Sequence, residues 1–107
     1  MPDEAYTNRA DSIRPREVAI EVARLARSLL GETAQVIWFG SWPQHKALAH
    51  SDIDLAVSIG VPIPMDRMAL LHDAVNDIPT LYDIDLVDLC SVGSALREEV
   101  LKYGERL

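Results

Sequence analysis

Asp52 and Asp54 stand one residue apart in Ser51-Asp52-Ile53-Asp54-Leu55-Ala56-Val57. The stretch alternates cleanly, so on a strand Ile53, Leu55 and Val57 share one face and the two carboxylates share the other. Strand positions two apart are roughly 6 to 7 Å apart. Two ionised carboxylates at that spacing repel by roughly 2 to 3 kcal/mol at an effective dielectric of about 20. Aspartate is also a poor strand former. A strand face that carries two of them is left in water or bridged by a cation. A hard divalent ion such as Mg²⁺ prefers such oxygen ligands and keeps positions open for phosphate oxygens. An Asp-x-Asp pair alone is most often an ordinary polar strand face, so its surroundings decide its meaning.

The surroundings begin with an apolar run and a turn upstream of the pair. Val36-Ile37-Trp38-Phe39 is wholly apolar, reads as a buried strand, and ends in Gly40-Ser41 followed by Pro43. Gly40 lets backbone approach a ligand closely, and Ser41 can cap a helix or bind a phosphate oxygen. Pro43 suits a first helical turn, so the sequence predicts a short helix over 43–48 whose N-terminus would attract anions. Strand, turn and carboxylates together describe a site for a metal-bound nucleotide.

The order Gly-Ser, ten residues, Asp-x-Asp resembles the signature of the minimal nucleotidyltransferases (MNT), small members of the DNA polymerase β superfamily. The likeness continues through Ile78-Pro79 and the run Ile84 to Leu89 to the closing residues 96–107. It implies that Asp52 and Asp54 ligate two Mg²⁺ ions, that Asp85 on a third strand completes the catalytic and metal site, and that Gly40 and Ser41 hold the triphosphate of ATP. Ser51 joins them as a nucleotide-binding candidate. Family members often carry a basic residue directly after the Ser and a Gly four places beyond it, where this chain has Trp42 and His45. Minimal nucleotidyltransferases are commonly paired with a helical HEPN toxin encoded nearby, and act as the antitoxin by transferring AMP to a toxin tyrosine. The resemblance implies that role here. Two other readings stand beside it: a binding module that neutralises its partner by contact alone, and adenylyl transfer to a small hydroxylated compound.

The elements that must position these residues follow from periodicity. Val18, Val22, Leu25 and Leu29 repeat at helical spacing from Pro15 to Leu30, with Gly31 a natural stop. Met68, Leu71, Val75 and Ile78 mark a second helix from Met65 to Ile78, ended by Pro79. A third strand is expected over Tyr82 to Val87, with Asp83 and Asp85 on one side; Asp88 has the other parity and reads as a strand-end or turn residue. Leu96, Val100 and Tyr103 form a last helix, capped by Ser91 or Ser94 and stopped at Gly104. The fold expected is α/β, a nucleotidyltransferase (polymerase β-like) core in the order α-β-α-β-α-β-α, with a small mixed sheet and helices mainly on one face. All 107 residues read as one domain, with 1–12 flexible.

Composition narrows the function. Residues 52–88 hold eight aspartates against Arg67 alone, so they account for the whole net charge of −7. Such a field repels a phosphate backbone, which argues against a nucleic-acid acceptor. The one cysteine, Cys90, excludes an internal disulfide and points to a reducing cytoplasm. The opening residues lack a signal-peptide layout, and no apolar run approaches membrane-spanning length. His50, His45 and Lys46 lie between the Gly-Ser turn and the Asp pair, and each reads first as a solvated loop residue.

Overall fold

A computed structural model describes residues 4–49 and 51–107. The chain runs α1 (Glu4–Leu30), β1 (Gln35–Phe39), β2 (Ile53–Ser58), α2 (Met65–Asn76), β3 (Ile84–Asp88), α3 (Ser94–Tyr103) and β4 (Glu105–Arg106). Four strands form one sheet in the order β3-β2-β1-β4. β1 is antiparallel to both β2 and β4, whereas β2 and β3 are parallel, so the sheet is mixed. The crossover between the parallel pair carries α2.

The two central strands bury both faces, as their apolar runs require. Val36, Trp38, Ile53, Leu55 and Val57 join Ala19, Val22, Ala23 and Ala26 of α1 and Leu71 and Val75 of α2 in the larger core. Ile37, Phe39 and Ala56 face the other way and meet Val100 of α3 and Leu89. Two helices therefore cover one face and a single helix the other. The seam of α1 is narrower in side-chain size than its apolar spacing implies. Alanines 19, 23 and 26 are fully buried with Val22, while Val18, Leu25 and Leu29 flank them. Small residues bring the helix axis close to the sheet.

Four expectations change. α1 begins at Glu4, so Pro15 lies inside the helix, where it is buried, and does not start it. No helix forms over 43–48; residues 41–45 are turns instead. The reason is local and topological. β1 must reverse to pair antiparallel with β2, Phe39 facing Asp54, and His45 takes a positive φ of 59° that no α-helix contains. The third strand begins at Ile84, two residues later than expected, although the backbone N–H of Ile53 still donates to Asp83 O at 2.9 Å. The cap of α3 is Gly93, with no side-chain hydrogen bond, so neither Ser91 nor Ser94 fills that role.

β4 has no signal in the sequence pattern. Directly after α3, Gly104 passes so close to β1 that a Cβ there would overlap Ile37 Cγ2 and the Val100 carbonyl. Glycine is needed for this close passage and not for an unusual φ, which is −77°. Arg16 on α1 holds the new strand with a bidentate pair to Glu105, at 2.5 and 3.0 Å, and its guanidinium lies 5.2 Å from the Trp38 ring centre. Arg27 donates to the carbonyls of Ala34 and Leu107, Arg67 to that of Leu29, and Arg97 to those of Leu89, Cys90 and Val92. Several of the scattered arginines thus tie elements together through backbone oxygens.

Candidate active site at the edge where β2 and β3 begin

The parallel register aligns Asp54 of β2 directly with Asp85 of β3. Their alternation places them on the sheet face of Ala56 and Val87, the side that α3 covers. Asp52 is exposed and sits one residue ahead of β2. The sheet therefore gathers the expected acids at one edge, because parallel strands begin there together. Asp83 lies just before β3 and outside the aligned pair. Asp88 is committed elsewhere: its carboxylate accepts from the backbone N–H of Ile63 at 2.8 Å and of Cys90 at 3.0 Å, and from the Ser91 hydroxyl. It shapes the turn after β3, as its parity indicated.

Asp54 is strongly perturbed. Burial, then the charge of Asp85, then that of Asp52 push its pKa up to about 6. No cation among the described residues offsets these charges. Nor do the described residues form a ready-made set of three metal-binding side chains. The chemistry of the donors nonetheless fits a hard divalent ion: carboxylate oxygens only, mutually repelling, at an edge open to water. Asp52, Asp54 and Asp85 are the residues that would hold it.

Gly40 ends β1 against this group, with φ at +83°. A Cβ at that position would overlap the Asp54 carboxylate, so glycine is demanded by both space and conformation. Ser41 follows at the rim of an open cleft of about 590 Å³, lined by Gly40, Ser41, Gln44, Lys46, Glu99 and Tyr103. Ser51 braces the loop from both of its oxygens. Its hydroxyl accepts from the Leu48 N–H at 2.8 Å, and its carbonyl accepts from the Trp42 indole at 3.1 Å. His50 lies outside the described residues.

Trp42 and His45 prove to be loop-building residues. The Trp42 ring packs against the larger core and meets Tyr82 edge-on, with centroids 6.1 Å apart. The indole thereby pins the loop to the residue ahead of Asp52. His45 keeps the positive φ that glycine would adopt freely. Glu99 and Tyr103 are not among the residues that the sequence singles out for the site. By spacing Tyr103 belongs to an apolar stripe, and nothing in the position of Glu99 sets it apart from other helix-surface acids.

The profile of the family described as polymerase beta, nucleotidyltransferase matches residues 27–107. No curated protein matches the chain. Among solved structures it resembles a chain of a toxin-antitoxin crystallised with AMP-PNP, with 27% identity and a TM-score of 0.62 over 78% of this chain and 66% of that one. A mutant of the toxin-antitoxin MntA-HpeT gives 28% and 0.59, over 81% and 68%. A complex of the tri-AMPylated HEPN toxin of Shewanella oneidensis with its MNT antitoxin gives 23% and 0.64, over 86% and 70%, a likeness of fold alone. The chain spans roughly two thirds of the length of these solved relatives.

Proposed function

The chain belongs to the polymerase β nucleotidyltransferase family, and from that membership we propose that it transfers AMP from ATP to a hydroxyl of a partner protein, a tyrosine of a HEPN toxin encoded nearby, and so acts as its antitoxin. The observation that carries the reading is the in-register pair Asp54 and Asp85, with Gly40 closed against Asp54 and Asp52 at the entry to the same strand. The 27% identical neighbour crystallised with AMP-PNP supports ATP as the donor. A reducing cytoplasm suits a chain whose one cysteine is unpaired.

Divalent metal, two Mg²⁺ ions in this reading, supplies charge neutralisation for the triphosphate and for pyrophosphate as it leaves. The residues of the chain do the rest. Asp52 and Asp54 would hold that metal at the start of β2, beside the Gly40-Ser41 turn. Gly40 and Ser41 offer backbone and hydroxyl to the phosphates, with no side chain at Gly40 to block their approach. Asp85, in register with Asp54, shares the metal or takes the proton of the attacking hydroxyl. The hydroxyl oxygen bonds to the α-phosphorus, the bond to the bridging oxygen breaks, and pyrophosphate departs in line. The acidic surface disfavours DNA or RNA as acceptor.

The test is the intact mass of the adjacent-gene partner after incubation with this protein, ATP and Mg²⁺. A gain of one or more AMP units is expected, absent with Asp52→Ala and with Asp54→Ala. An unmodified partner that still co-purifies would replace this reading with neutralisation by contact. AMP transfer to a small hydroxylated compound alone would replace the acceptor.

A further inference from the structure

A triphosphate carries about four negative charges, and the site that would receive it contributes three more carboxylates. Cations on the protein are therefore needed besides the metal. Position 42 does not supply one, because its indole is turned into the core and bonded to Ser51 O. The turn that follows returns a different residue to the same place. The His45 N–H donates to Trp42 O at 3.0 Å and the Lys46 N–H to Ser41 O at 2.9 Å, so Lys46 comes back beside Ser41. His45, in the left-handed region, makes that reversal. Lys46 is the one basic residue lining the cleft that opens from Gly40, and among the described residues its ammonium has no ion-pair partner. Its side chain is exposed and free to swing. Glu99 and Tyr103 of α3 form the opposite wall.

We propose that this cleft takes the triphosphate and that Lys46 is its protein-borne cation, standing in for the basic side chain that position 42 lacks. The inference rests on the nucleotide-transfer reading and adds to it a phosphate-binding residue on the loop.

Binding, not turnover, tests it. Titration calorimetry with AMP-PNP and Mg²⁺, and separately with AMP, compares the wild-type protein with Lys46→Gln and Lys46→Arg. Loss of a charge-assisted contact weakens AMP-PNP by about tenfold or more in Lys46→Gln. Lys46→Arg retains most of the affinity, and AMP, which lacks the β- and γ-phosphates, changes little in either variant. Equal AMP-PNP affinity in wild-type and Lys46→Gln overturns the role of Lys46 while leaving the transfer reading intact. Equal losses for AMP and AMP-PNP also overturn it, by showing a general disturbance of the loop. No binding of AMP-PNP to the wild-type protein overturns the transfer reading and this inference with it.

Discussion

Asp54 shows how a single side chain records what its site lacks. Its pKa is raised to about 6 by burial first and by Asp85 and Asp52 after that. A carboxyl whose folded pKa lies above its unfolded value near 3.8 favours the folded state fully below that value, and this contribution is lost as pH rises through about 6. Above pH 6 the metal-free fold therefore carries a penalty that a neutral isostere removes. Asp54→Asn is expected to melt higher than wild type at pH 7.5 in a chelating buffer, with the difference shrinking as pH falls from about 7 to 4. Thermal melts across that range check it; a difference that does not vary with pH would show that neither burial nor the neighbouring charges raise the Asp54 pKa. The sequence already carried this information in part. The alternation of residues 51–57 placed two acids on one face, whereas the pairing with Asp85 depended on a parallel register that no local pattern encodes.

Among the elements, those with strong periodicity were legible and those made by tertiary contact were not. The paired apolar runs of β1 and β2 and the stripe Met68, Leu71, Val75 of α2, continued by Ile78 just past its end at Asn76, reflect burial that each segment must satisfy on its own. The connection 40–52 follows other rules. Pro43 reads as a helix start in isolation, yet the antiparallel return of β1 onto β2 and the bond from Trp42 to Ser51 demand turns. β4 has two residues and exists because Gly104 lets the chain slip past Ile37. Gly104→Ala should therefore cost about 1 to 3 kcal/mol through overpacking between α3 and β1. The measurement is a urea midpoint shift at unchanged slope. A variant as stable as wild type would mean that α3 can move away from the sheet without loss.

At the scale of the whole molecule, charge and stability are coupled through the site. All of the net charge of −7 resides in residues 52–88, which include the three candidate metal ligands. A ligand that binds only the folded chain stabilises it by mass action, about 2.7 kcal/mol at a hundred times its Kd. Mg²⁺ is expected to raise the Tm of wild type by several degrees and EDTA to reverse the gain. Neither should move the Asp54→Asn protein appreciably. An equal Mg²⁺ response in that variant would place the ion elsewhere on the acidic surface. No helix among the described residues is long and apolar enough to cross a membrane.

The clamp between Trp42, Tyr82 and Ser51 has an optical consequence. The chain has two tryptophans: Trp38 is sealed beneath Arg16, whereas Trp42 sits half-buried in the loop that carries Lys46 towards the cleft. Emission from Trp38 reports the integrity of the core and that from Trp42 the state of the loop, so Trp38→Phe leaves one tryptophan, bonded to the residue ahead of Asp52. The protein thus contains its own reporter of loop rearrangement, readable without a label.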